Sequence, residues 1–145
     1  MKALTVKQPW PYAVFHLGKD IENRDWDTRL RGTIAIHSSK KVNRSDYLMS
    51  AAAIAHIVGD ISKVPMQADL PHGYIVGLVD IVDCVDHSDS PWFFGDYGFV
   101  IRNAVALPEP IACSGALGFW DVPDRVLEEI NRQLSEIRNG VNHES

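Results

Sequence analysis

Gly18-Lys19-Asp20-Ile21-Glu22-Asn23-Arg24 is the stretch on which the reading of this chain turns. It follows the pattern G-K-x-x-E-x-R and sets an amine, a carboxylate and a guanidinium close together, directly before Trp26. If residues 21–25 are extended, Glu22 and Arg24 share one face, because strand side chains alternate with period two. Lys19, at the preceding turn, reaches toward that face. Two readings are open from the spacing alone: the floor of a polar pocket beside Trp10, Tyr12 and Trp26, or a solvated ion-pair strip.

Upstream of the motif, Ala3-Leu4-Thr5-Val6 reads as a strand, and Gln8-Pro9-Trp10-Pro11 opens a short helix. Trp10, Val14 and Leu17 lie on one face of that helix, and Gly18 closes it. Downstream, Arg31-Gly32 is a turn into the alternating strand Thr33-Ile34-Ala35-Ile36-His37, which leaves through Ser38-Ser39-Lys40-Lys41. Ser45 and Asp46 start a helix that runs through Val58 and stops at Gly59. Residues 60–72, with Pro65 and Pro71, read as a surface loop. Gly73 to Val85 is a β-branched run with Gly77 at a bulge or bend.

Trp92-Phe93-Phe94-Gly95-Asp96-Tyr97-Gly98 is an aromatic, glycine-rich loop before a strand at Phe99-Val100-Ile101. Leu107-Pro108-Glu109-Pro110 separates that strand from another near Ala112, and Gly115 to Trp120 turns into the last one. Pro123 to Arg138 is the clearest helix: Val126, Ile130, Leu134 and Ile137 form its apolar stripe and Gly140 ends it. Short strands with few helices and no βαβ alternation predict an α+β domain built on a small barrel. The expected organisation is a single domain over residues 1–140 with a frayed tail at 141–145.

The 145 residues suit one domain with a real core. No apolar run has the roughly 20 residues of a membrane helix, and Met1 to Lys7 lacks the features of a signal peptide. The two cysteines, Cys84 and Cys113, form no metal or disulfide pattern, which predicts reduced thiols and a cytoplasmic setting. The net charge of −5 is unevenly spread. Residues 1–44 hold nine Lys/Arg against four acids, a local excess of +5; the rest hold five against fifteen, or −10. A local basic face able to take a phosphate-bearing ligand is compatible with that split; non-specific duplex binding over the whole surface is not.

Several segments, taken in order, resemble one known family. They are Leu4-Thr5-Val6-Lys7-Gln8-Pro9-Trp10, Gly18–Arg24, Arg31-Gly32, Ile36-His37-Ser38-Ser39-Lys40, Ser90-Pro91-Trp92-Phe93, Tyr97-Gly98-Phe99-Val100-Ile101 and Gly115-Ala116-Leu117-Gly118-Phe119-Trp120. Together, over residues 2–123, they resemble the ASCH domain, the activating signal cointegrator homology domain of the PUA-like superfamily. The resemblance implies a PUA-like β-barrel with flanking helices and a cleft beside the Gly-Lys-x-x-Glu-x-Arg motif. It also implies RNA, single-stranded nucleic acid, or a nucleotide or nucleoside as ligand. Family members include ribonucleases, a group that deacetylates N4-acetylcytidine, and coregulator domains that bind nucleic acid without cutting it; fold alone does not choose among these.

The expected function is therefore RNA or nucleotide binding in that cleft with ribonuclease-type hydrolysis. The alternatives are a non-catalytic nucleic-acid-binding module and an amidohydrolase acting on a modified nucleoside. Lys19 is the first catalytic candidate: burial and the nearby Arg24 would lower its pKa toward that of a base, and in its charged form it could clamp a phosphate. Glu22 could orient Lys19, accept an amino-group proton from a base, or act as a general base. The acetylcytidine-deacetylating group has a threonine nucleophile where this chain has Glu22, which weakens that reading.

By resemblance to nucleolytic relatives that combine a tyrosine, a lysine and a serine, Tyr12 and Ser114 join Lys19 as catalytic candidates. Arg24 and Arg31 are candidate phosphate ligands, or ion-pair partners of Asp25, Asp27 or another acid. Ser38, Ser39 and Lys40 could contact a phosphate, although an ST-turn accounts for the serines equally well. Trp26 and Trp92, with Trp10 and Phe93, are candidate stacking platforms, of which one or two are expected to touch ligand. His37 reads as structural and Trp120 as core. Asp80, Asp83 and Asp86 recur every third residue of a strand-like run and so make no shared metal site. No cofactor is firmly expected; a divalent metal held loosely on a phosphate stays open.

Overall fold

Strand β1 (Lys2–Val6) runs parallel to β3 (Gly32–Ser38), with Val6 opposite Ser38. Between them the chain forms α1 (Trp10–His16) and a short strand β2 (Ile21–Arg24). This parallel crossover departs from the expected absence of βαβ alternation. In the computed structural model, which describes the backbone of residues 1–144 and side chains through Gly140, four further elements follow. These are α2 (Arg44–Val58), β4 (Tyr74–Val85), β5 (Tyr97–Ala112) and β6 (Phe119–Asp121), and the chain ends in α3 (Asp124–Glu144). The sheet order is β2-β5-β4-β3-β1-β6, a curled half-barrel with flanking helices in an α+β, PUA-like arrangement.

Alternation along the strands assigns each face. Leu4, Ile34, Ile36, Val79, Ile81, Phe99 and Ile101 fill the concave side. Ala3, Ala35, Leu78 and Ile111 face the other way, where Val126 and Ile130 of α3 cover them. The small alanines of β1 and β3 allow that close approach. A third cluster, Ala13, Ile21, Ile54 and Trp92, ties α1, β2 and α2 together beside the site. Each buried leucine- or isoleucine-sized side chain contributes roughly 1.5–3 kcal/mol.

Several expected boundaries shift for identifiable reasons. Asn43, not Ser45 or Asp46, caps α2: its side-chain oxygen accepts from the Asp46 amide at 2.8 Å. The loop at 60–72 contains two short 3-10 turns, Ile61–Lys63 and Gln67–Asp69. The two strands expected around Pro108 and Pro110 are one strand, β5. Between the pairs Ile75–Ile111 and Gly77–Ala106 the register slips, so both prolines sit in a bulge where no ladder donor is needed. Buried Gln133 of α3 serves that bulge, accepting from the Glu109 amide at 3.1 Å and donating to its carbonyl at 2.9 Å.

Gly77 lies in the same irregularity, as its sequence position indicated. A Cβ there would lie 2.3 Å from the Phe15 ring and 2.7 Å from the Val105 carbonyl, so α1 seats directly on this backbone. Helix α3 continues past Gly140, where the sequence led one to expect its end. Of the expected frayed tail, Ser145 and the side chains of 141–145 lie outside the described residues.

Candidate functional site

The C-terminal ends of β1 and β3, the start of α1, and β2 surround a cleft of about 520 Å³. Helix α1 ends when the amides of Leu17 and Lys19 both bond the Ala13 carbonyl. Gly18, at φ 77, then turns the chain so that Lys19 points inward. The Lys19 side chain is 4% exposed; its amine donates to the Ile21 carbonyl and lies 5.6 Å from the centre of the Trp10 ring. Burial holds the amine below the ordinary lysine range; Glu22 and Asp20 pull it partly back, while Arg24 acts in the same direction as burial. Buried and bonded to Ile21, Lys19 is not part of the solvated ion-pair strip that the spacing left open.

Strand β2 delivers Glu22 and Arg24 to this cleft on one face, as period two requires. Glu22 is buried, and its Oε2 has no hydrogen-bond partner. Arg24 does not pair with Asp25 or Asp27. Its Nη2 donates to the Thr5 carbonyl of β1 at 2.7 Å, while its buried Nε stays without a partner. Since β2 and β1 are far apart in the sheet order, the Arg24–Thr5 bond also marks how tightly the sheet curls.

The walls are held by residues that sequence reasoning did not single out. Asn23 donates to the Trp92 carbonyl at 2.8 Å and accepts from the Phe94 amide at 2.9 Å, and Ser90 donates to Asp20 at 2.6 Å. These bonds fix the aromatic loop over β2, leaving Phe94 exposed at the cleft edge and edge-on to Trp10 at 6.1 Å. Trp10 is anchored by its indole N–H to Ser50 of α2 at 3.1 Å. Buried Gln8 receives the Tyr12 amide and donates to the Pro71 carbonyl. Leu117, 98% exposed, stands on the opposite rim. The glycine-rich composition of residues 92–98 was a signal for the aromatic rim; nothing marked Asn23 as its anchor.

Of the expected site residues, Lys19, Glu22, Arg24 and Ser39 come together at the cleft. Tyr12 does not: two positions beyond Trp10 on a helix, it faces the other way, into a groove of about 250 Å³ with Phe15 and Pro71. Ser114 faces solvent in a separate depression beside Lys40 and Arg125, because its neighbour Cys113 takes the inward position. The Tyr12–Lys19–Ser114 grouping is therefore not assembled. Arg31 sits at the opposite end of β3, bonded to the Thr28 and Leu30 carbonyls and 3.6 Å from Asp83.

Ser38 is fully buried, and its hydroxyl links to the backbone of Tyr74. Ser39 makes a local bond to the Lys41 carbonyl. Lys40 is exposed in the neighbouring depressions rather than in the cleft. Trp26, partly buried, packs edge-on against Phe99 and Phe119, and Trp92 is 5% exposed in the core; neither lines the cleft. Trp10 and Phe94 supply the aromatic surface instead.

His37 is structural, as expected. Its Nε2–H donates to the Cys113 carbonyl at 2.7 Å, and its Nδ1 accepts from the Thr5 hydroxyl, which itself accepts from Trp120. Burial pushes its pKa down, partly offset by the carbonyl. Trp120 lies edge-on to it, partly buried rather than in the deep core. Among the described residues no group of three His, Cys, Asp or Glu is placed to hold a metal ion. Asp80 is engaged by Thr33 and Asn103. No described helix is long and apolar enough to cross a membrane.

With this geometry goes a family match. Residues 4–110 match the ASCH domain model, and the chain belongs to that family. It is similar to activating signal cointegrator 1 of Homo sapiens, 22% identical over 95% of this chain, and to that of Mus musculus, 21% identical over the same share. In both cases the chain spans about a quarter (25%) of the relative's length.

Proposed function

We propose that the cleft binds RNA or a nucleotide. The observation that carries the proposal is the convergence of Lys19, Glu22 and Arg24 in an open cleft edged by the aromatic rings of Trp10 and Phe94. Stacking on such rings suits single-stranded nucleic acid. Exposed Lys7 on the rim and Lys40 and Lys41 beyond Ser39 offer charge to the sugar-phosphate chain. Membership of the ASCH family supports the same reading.

A hydrolytic version rests on the lowered pKa of Lys19. A neutral amine can take the proton from a ribose 2′-hydroxyl as that oxygen attacks phosphorus. The bond to the 5′-oxygen then breaks, and the leaving oxygen takes up a proton. The deacetylase alternative has less support, because Glu22 brings a carboxylate, not a hydroxyl nucleophile.

Labelled single-stranded RNA tests both versions. The wild type is expected to bind it with a shallow salt dependence, log K falling with log salt at a slope of about −1.4 to −2.1, the mark of two or three phosphate contacts on a single strand. Binding that is absent, or indifferent to Lys7→Ala with Lys40→Ala, contradicts the proposal. Intact RNA after prolonged incubation, or cleavage unchanged in Lys19→Ala, removes the hydrolytic version and leaves binding alone.

A further inference from the structure

We infer that the deep end of the cleft reads the edge of a nucleobase, with Glu22 as hydrogen-bond acceptor and Arg24 as donor, while phosphates stay at the rim. The inference rests on the binding form of the nucleic-acid reading above, not on the hydrolytic form, which would bring a phosphate to Lys19. It says which part of that ligand enters. Its foundation is a pair of unmet demands. Glu22 Oε2 and Arg24 Nε are both buried and both lack a partner, yet both residues line the same open cleft. Buried polar groups are nearly always paired in native proteins, so two orphans of opposite kind in one cleft describe a missing ligand.

The chemistry of that ligand follows from the pair. An acceptor and a donor two residues apart on one strand face call for an N–H beside a carbonyl oxygen or ring nitrogen. Every nucleobase carries such an edge. A phosphate carries acceptors only, and against the buried Glu22 carboxylate it would meet like charge with no donor to offer. The Arg24 guanidinium already commits one Nη2 N–H to the Thr5 carbonyl, which leaves it fewer donors to offer a phosphate.

The surroundings suit a flat group. Trp10 and Phe94 supply aromatic surface in the same cleft, and exposed Leu117 lines it too. Exposed Lys7 lies at the rim of the cleft, and exposed Lys40 and Lys41 lie in the depression beside it, where a backbone leading away from the inserted base would pass. Asn23, through its bonds to the loop at Trp92 and Phe94, acts as a positioning residue for the aromatic side.

The experiment compares short single-stranded RNAs that share a phosphate backbone: the four homopolymers and an abasic strand of equal length, each titrated against the wild type and Glu22→Gln. Glutamine keeps the size of the side chain, and melting curves for the variant check the fold. The wild type is expected to bind its preferred homopolymer roughly tenfold or more tighter than the abasic strand, the value of a hydrogen bond to a charged group. Glu22→Gln is expected to remove most of that difference, read in each protein as the ratio of base-bearing to abasic affinity.

Equal wild-type affinity for base-bearing and abasic strands would overturn the inference and leave nucleic-acid binding standing. A base preference that survives Glu22→Gln would do the same, reducing the cleft to a stacking surface. Failure of all five strands to bind would overturn the nucleic-acid reading itself, and the inference with it.

Discussion

Lys19 is a single side chain whose burial costs the fold stability. Its amine is buried against Trp10 with one carbonyl partner, and burial disfavours its charged form. The folded pKa therefore lies below the ordinary 10.5, and the unfolded chain binds more protons throughout the interval between the two values. Stability consequently rises with pH across that window. Lys19→Met is expected to be about 1–2 kcal/mol more stable than the wild type near neutral pH, with RNA binding reduced. Denaturant titrations at a series of pH values check this: the advantage should narrow as pH approaches 10.5. An advantage independent of pH would mean that packing, not the buried amine, is responsible. At this scale the sequence was informative: the G-K-x-x-E-x-R spacing placed Lys19, Glu22 and Arg24 correctly. It could not separate them from Arg31 or Tyr12, because their distance from the cleft depends on strand ends and helix phase.

Among the elements, the β5 bulge and α3 form a coupled pair that no local pattern displays. Pro108 and Pro110 look like a break between two strands, and they are tolerated inside one because the register slips there. Gln133, 1% exposed, bonds both backbone groups of Glu109. Gln133→Ala is expected to cost about 1–2 kcal/mol in chemical denaturation, since both backbone groups lose their partner. No measurable loss would show that water replaces the amide there. The strand and helix interiors were legible in the sequence through period two and the stripe of Val126 and Ile130. The bulge was only half legible: Gly77 marked it on β4, but the prolines concealed it on β5. Caps were harder still, since Asn43, Ser45 and Asp46 are all competent and only the folded geometry selects Asn43.

At the scale of the molecule, the curl of the sheet makes the site. It carries β2, at one end of the strand order, to within a hydrogen bond of β1, and closes Glu22, Arg24 and Thr5 around one cleft. Strand order and curvature are non-local, so periodicity could not supply them; the ordered resemblance to the ASCH family pointed to a barrel with a cleft, but not to the strand order. The sequence's charge split also acquires a place here, with Lys7, Lys19 and Arg24 at the cleft and Lys40 and Lys41 beside it, on a chain that is otherwise acidic. The claim that binds these scales is that the cleft is where the ligand sits. Amide chemical shifts of the labelled protein, followed during titration with a short single-stranded RNA, test it most directly. Saturable changes are predicted at Thr5, Lys19, Glu22, Arg24, Phe94 and Leu117. Changes confined to the groove at Tyr12 or to the outer face of α3, or no saturable change at all, would contradict it.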